Sequence, residues 1–231
     1  MAVSRETVLF YEPEGGAQGA LLKSILVRMG VRIKNVSSEA VGQTIGCLLG
    51  RKGFDARENP EAPALDEPVL VMDGFTDKRL EILLREMKKN PRVIGVKNSS
   101  MPTQDIQMWH DEDLLVFNGP DEQFISGLAM GACAGIGGTY AVMPELFLKV
   151  YEHFQKGEME AARQIQNEID HIIYKMCSAH GNLYAVQKAI LAKDGVPCGS
   201  VRKPMPALID SDAAVVDEAH AMIAAAVAKF C

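Results

Sequence analysis

The chain has 231 residues, 48% of them apolar and 23% charged, with a formal net charge of −6. That balance argues against a nucleic-acid partner or an anionic-membrane surface, both of which need clustered Lys and Arg. No apolar run approaches the roughly 20 residues of a bilayer-spanning helix, and the opening MAVSRETVLFYEPEGG has no apolar signal core, so a cytoplasmic location is expected.

The first segment alternates short apolar runs with helical patterns. Thr7-Val8-Leu9-Phe10-Tyr11 is a predicted strand closed by Pro13 and Gly15-Gly16. Residues 20–29 place Leu21, Leu22, Ile25, Leu26 and Met29 at helical spacing and end at Gly30, a C-cap residue. Residues 31–36 predict a second strand, and residues 37–49 a helix stopped by Gly50. Residues 57–67 are rich in Pro, Glu and Ala without periodicity and predict a loop. Residues 69–72 predict a third strand, and Thr76 N-caps a helix over 77–89. This βαβαβα order favours a small three-stranded parallel sheet. Gly15-Gly16-Ala17-Gln18-Gly19 matches neither GxGxxG nor a Walker motif and reads as a plain turn.

A different pattern starts near Asn90. Strands are expected over 92–96 and 113–117, with part of a third over 135–138. Helices follow over 144–156, 158–177, 184–193 and 211–230; the second carries the stripe Ala161, Ile165, Ile169, Ile172, Ile173, Met176. The chain thus divides into residues 1–89 and 90–231. Its five cysteines (Cys47, Cys133, Cys177, Cys198, Cys231) are odd in number and form no CxxC pair, so free buried thiols are expected. The histidines are isolated, without zinc-ligand spacing, and neither a metal nor a cofactor is expected.

Lys97 ends the apolar run Val93-Ile94-Gly95-Val96. Strand C-terminal ends are where parallel α/β folds assemble sites. A desolvated lysine there loses its proton more readily and can attack a carbonyl to form a Schiff base. From position alone, a lysine extended into solvent is the plainer reading. NGPDEQ reads as a turn plus a helix N-terminus, with Asp121 and Glu122 at the positive end of the dipole. The loop 109–113 (WHDED) is expected to be solvated, His171 and His180 to be structural, and Arg202-Lys203 to have a local role.

NPRVIGVKNSSMPTQDIQMW, LLVFNGPDEQFISGLAMGACAGIGGTYAVMPELFLKVYEHFQKGEMEAARQIQ, IIYKMCSAHGNLYAVQKAIL and GSVRKPMPAL resemble N-acetylneuraminate lyases across nearly all of residues 90–231. These enzymes stand with dihydrodipicolinate synthase among the class I aldolases that use pyruvate. The resemblance implies the C-terminal part of a (β/α)8 TIM barrel, strands six to eight plus C-terminal helices. It also implies metal-free retro-aldol cleavage of N-acetylneuraminate to N-acetylmannosamine and pyruvate. Lys97 matches the imine-forming lysine and Ser99 a substrate contact. Gly119, Asp121 and Glu122 match the segment that holds the sugar's hydroxyl-bearing chain. Gly137 matches a position of close substrate approach, and Gly138 stands where some relatives have a serine.

The resemblance breaks in the first segment. ETVLFY, LLKSILVRMGVRIKNV and VLVMDGFTDKRLEILLREMKK are instead similar to a small bacterial α/β family of unknown function. No counterpart stands here for the lyases' GSTGE-type carboxylate-binding loop or their YNIP-type tyrosine, so weak or absent activity of this chain alone is expected. Two other readings stay open: a non-catalytic interaction or scaffold protein joining two unrelated segments, and a dihydrodipicolinate synthase-like aldolase. Open strand edges leave homo-oligomerisation open as well.

Overall fold

The computed structural model describes residues 6–13, 19–58, 60–62 and 65–231. The chain divides into two compact units, Met1–Val93 and Ile94–Cys231. The glycine-rich turn after the first strand lies mostly outside the described residues.

In the first unit, β1 (Thr7–Tyr11) is central and nearly solvent-free: Val8, Leu9 and Phe10 are all buried. Its neighbours are β2 (Arg32–Val36) and β3 (Val69–Asp73), in the order β2-β1-β3. Helices α1 (Gly19–Arg28) and α3 (Asp77–Lys88) supply Ile25, Leu26 and Leu83 to a core with Val8, Phe10 and Val31. Thr76 caps α3 as expected, its hydroxyl accepting from the Arg79 amide at 3.3 Å. The Arg79 guanidinium reaches Glu6 Oε1 and Oε2, each at 2.7 Å, and Met29 O at 2.6 Å. One side chain thereby ties α3 to the approach to β1 and to the end of α1.

The expected all-parallel sheet is corrected here. β1 pairs parallel with β2 but antiparallel with β3, Leu9 opposite Val71. The expected helix over 37–49 is also broken, into a 3-10 turn (Ser38–Ala40) and the short α2 (Ile45–Leu49), capped by Thr44 and ended by Gly50 at φ +72. Five residues rise only about 7–8 Å, less than half the length of a five-residue strand. α2 is too short to serve as the crossover helix of a parallel pair, and β3 enters antiparallel after residues 50–68.

In the second unit, β4 (Gly95–Asn98), β5 (Leu115–Asn118) and β6 (Ala134–Gly135) form a parallel sheet in that order. Helices α4 (Gln104–His110) and α5 (Phe124–Ala129) connect them. β4 and β5 begin three and two residues later than periodicity suggested. Trp109 and His110 belong to α4, and Asp113, expected to open β5, sits in a turn at φ +59, a conformation Asp tolerates better than most residues. Of the strand expected over 135–138 only Gly135 is in β6.

The remaining helices are α6 (Pro144–Gln155), α7 (Met159–Cys177), α8 (Leu183–Lys193) and α9 (Ala213–Phe230). They cluster on α7, which buries Ala162, Ile165, Ile169, Ile172, Ile173 and Met176, the expected stripe with Ala162 in place of Ala161. Tyr140 stacks on Phe147 at 3.9 Å and meets Phe124 edge-on at 5.6 Å, binding this cluster to the ends of the strands. The cysteines are free, but the expected burial fails: Cys133, Cys177, Cys198 and Cys231 are exposed and Cys47 is half-buried. Among the described residues, no helix is long and apolar enough to cross a membrane, and no three His, Cys, Asp or Glu side chains are grouped to hold a metal.

Asp212, 1% exposed, fastens the last helix. Its carboxylate accepts from the amides of Ile209, His180 and Gly181 at 2.8–3.1 Å and from His180 Nδ1 at 3.1 Å. The Ile209 amide leads in pulling its pKa down to about 2, against the opposing effect of burial. A depressed carboxyl stabilises the fold above its unfolded value of about 4, and that contribution is lost as pH falls through the folded value. Thermal unfolding of wild type between pH 5 and 2 should therefore show a falling Tm. Asp212→Asn should start lower and decline less steeply. Parallel profiles for the two proteins would remove this role.

Candidate active site

Strand alternation sorts the residues of the second sheet. Lys97 lies opposite Phe117, and Phe117 opposite Ala134; Asn98 lies opposite Asn118, and Asn118 opposite Gly135. Asn98 and Asn118 are buried on the helix side, continuing the row of Val96 and Val116, which packs with Ile106 and Ala132. Lys97 is exposed on the other face.

The loops beyond the strands interlock. The Gly119 amide donates to Asn98 O at 2.8 Å, and the Ile136 amide donates to Asn118 O at 2.9 Å. At Gly119 a Cβ would stand 2.6 Å from both Asn98 O and Ser99 Oγ, so only glycine lets these two loops touch. Next along the rim, Asp121 is 7% exposed. Its Oδ2 accepts from the Thr139 amide at 2.8 Å and the Thr139 hydroxyl at 2.6 Å. Its Oδ1 is buried without a donor and lies over Gly137, whose added Cβ would stand 1.3 Å from it. A Cβ on Gly138 would meet the Tyr184 ring and Gln187.

Burial raises the Asp121 pKa, the Thr139 bonds oppose that rise, and the Glu122 charge adds to it; the Lys97 charge pulls it down slightly. The structure brings Lys97, Ser99, Gly119, Asp121, Gly137 and Gly138 into three successive strand-end loops. Glu122 is set apart. It is half-buried and turned towards α7, where its charge reaches Asp170 and Cys177. It borders an open groove of about 420 Å³ shared with Ile125, Met159, Arg163 and Gln166.

Tyr140 is no proton carrier for Lys97. Its hydroxyl lies 2.0 Å from where a Gly135 Cβ would stand, on the helix side of the sheet. Burial and then the Asp121 charge raise its pKa, holding it as a phenol. His180 is taken up by Asp212, and His171 is exposed on α7. Two residues escaped sequence reading. Thr139 binds Asp121, and Gln166, 3% exposed, donates to Asp121 O at 3.2 Å and accepts from the Ile125 amide at 3.1 Å. Gln166 did leave a signal, as a polar residue one turn from Ala162 in the apolar stripe of α7. Thr139 left none beyond its place after two glycines.

An exposed lysine at the end of a parallel strand, with neighbouring strand-end loops gathered round it, defines a site of the α/β-barrel kind. The chain belongs to the dihydrodipicolinate synthetase family, whose pattern matches residues 69–223. That match begins upstream of Asn90 and takes in β3 and α3. The N-acetylneuraminate lyase of Mediterraneibacter gnavus is 57% identical over 152 residues, which are 64% of this chain and 48% of the relative. The Rhizobium meliloti N-acetylneuraminate lyase is 32% identical over 157 residues, covering 66% of this chain and 50% of its own length. Among solved structures, Ruminococcus gnavus sialic acid aldolase is 56% identical with a TM-score of 0.63, over 65% of this chain and 52% of that one. The chain spans about half the length of the curated relatives it matches. The fold neighbours are TIM barrels, and this chain shares their α/β character and parallel strands.

Proposed function

We propose that residues 90–231 are the lysine-bearing part of a sialic acid aldolase, matching strands six to eight of its barrel and the helices that follow, and that residues 1–89 are a separate small α/β domain. In this reading Lys97 is the nucleophile. Its neutral amine attacks the ketone carbonyl of the substrate, water leaves, and the protonated imine accepts the electron pair released when the carbon–carbon bond breaks. Ser99, Gly119, Asp121, Gly137 and Gly138 form the sugar side of the site, with Glu122 at its edge towards α7. Turnover by this chain alone falls well below that of a full-length relative, because the sequence has no counterpart of the lyases' YNIP-type tyrosine, whose acid–base assistance is worth about 10²–10⁴-fold, and Tyr140 lies on the helix side of the sheet.

The observation that carries this reading is the position of Lys97 at a strand end, on the same rim as Asp121 and beside the Ser99–Gly119 contact. The 57% identity to a lyase supports it over a scaffold role. It also supports it over the chemistry of the Methanospirillum hungatei 4-hydroxy-tetrahydrodipicolinate synthase, which is 28% identical over 148 residues. The test is borohydride reduction in the presence of pyruvate, followed by peptide mass spectrometry. A single adduct on Lys97 is expected; an adduct elsewhere, or none, removes the catalytic reading.

A further inference from the structure

The two edges of the first unit's sheet differ. β2, on one side, carries Arg32 and Lys34, and the Lys34 amine reaches Leu48 O at 2.6 Å. Charged side chains, lysine above all, keep an edge strand from pairing with another chain. β3, on the other side, reads Val69-Leu70-Val71-Met72 before its first charge, Asp73. Among the described residues no strand pairs with its outer edge, and Val69 and Met72 are 38% and 41% exposed. Its ends are set by Pro68, which has no amide hydrogen to give, and by Gly74 at φ +75, where the chain turns. An apolar edge of defined length is left open.

The charges at its two ends select what fits there. Asp66 and Glu67 are exposed just before β3, and Arg51 is exposed at the other end, where it pairs with Asp73. An antiparallel neighbour of the same sequence brings the acidic start of one β3 beside the Arg51 end of the other. A parallel neighbour sets Glu67 beside Glu67 and Arg51 beside Arg51, which like-charge repulsion disfavours.

We propose that β3 pairs antiparallel with β3 of a second copy of this chain, Val71 opposite Val71 across a twofold axis, so that two sheets become one. In that register Leu70 of each copy lies opposite Met72 of the other, and each Glu67 approaches the other copy's Arg51. The contact is isologous, so each of these pairs occurs twice. Assembly stops at the dimer, because the edges that remain are the β2 edges with Arg32 and Lys34. One strand pair buries less than the roughly 1,200 Å² at the lower bound of standard interfaces, and the dimer therefore dissociates in about the micromolar range. None of these residues belongs to the candidate active site, and the inference stands apart from the aldolase reading.

Sedimentation velocity of the full chain at rising concentration tests it. Wild type should pass from monomer to dimer in the micromolar range and go no further. Arg51→Glu and Glu67→Arg should each weaken the dimer about tenfold, since each sets like charges together at both ends of the strand pair. Both side chains are exposed, so neither substitution disturbs the core. An equimolar mixture of the two variants should recover dimers, because only the mixed pair places opposite charges together at both ends. A wild type that stays monomeric well above the micromolar range overturns the proposal. So do dimers that neither variant weakens, and so does a mixture that recovers nothing. Amide hydrogen exchange locates the contact: higher concentration should slow exchange within residues 69–73 and leave 32–36 and 95–98 unchanged. Slowing at 95–98 instead places the association on the second sheet and overturns the proposal.

Discussion

Lys97→Arg should abolish borohydride trapping of pyruvate while leaving the circular dichroism and the unfolding midpoint of the chain as they were. Imine formation needs an amine that can lose its proton, and a guanidinium does not do so in a protein. The side chain is exposed at the end of β4, so the substitution removes no packing and keeps the positive charge felt by Asp121. The expected loss is therefore complete in chemistry and close to nil in stability. Adduct persisting in Lys97→Arg would show that another lysine carries the reaction. A variant that fails to fold would show that Lys97 is part of the framework.

The largest stability effect is expected from Leu146→Ala. Leu146 is fully buried on α6, among Phe147, Val150 and the apolar stripe of α7. Leu-to-Ala changes at such positions cost about 2–5 kcal/mol, the spread reflecting how far the cavity collapses. Trp109, the only tryptophan, lies in α4 against Val116 and Ile106, so its fluorescence reports the second unit. Its urea midpoint should fall by about 1–2.5 M, taking a slope of about 2 kcal/mol per M. Leu148, two residues on and 68% exposed, provides the control: Leu148→Ala should stay within about 0.5 kcal/mol. Equal losses at the two positions would mean that α6 is rotated relative to the arrangement described.

Much of the architecture was legible in the sequence because burial repeats with a fixed period. The stripe of α7 and the run Thr7-Val8-Leu9-Phe10-Tyr11 declare their geometry locally, since 3.6 residues per turn and strict alternation each leave one face apolar. Caps were legible for the same local reason: Thr76 and Gly50 satisfy the hydrogen-bonding and φ requirements of helix ends within a few residues. Strand boundaries were not. Arg92 and Val93 suit a strand by composition, yet pairing starts at Gly95, where a partner strand is within reach.

The candidate site divides along the same line. Lys97, Ser99, Gly119, Asp121, Glu122, Gly137 and Gly138 were identified from sequence by resemblance, and each lies on a segment whose motif could be recognised one stretch at a time. What each side chain does within that set was decided by tertiary structure. That Asp121 faces Thr139, that Glu122 turns to α7 and that Tyr140 lies behind the sheet are decided by contacts rather than composition, the Asp121 bonds to Thr139 and Gln166 spanning 18 and 45 residues. So is the reversed direction of β3, which rests on its pairing with β1, Leu9 opposite Val71, and is not legible in the composition of Val69–Asp73. The sequence by itself determined the long helices α3, α6, α7, α8 and α9, the buried face of α7 and a lysine at the end of a strand, because periodicity and local stereochemistry are enough for these. Only the tertiary structure decided strand direction and the partners of each buried polar group, because those depend on which distant segments come to lie side by side.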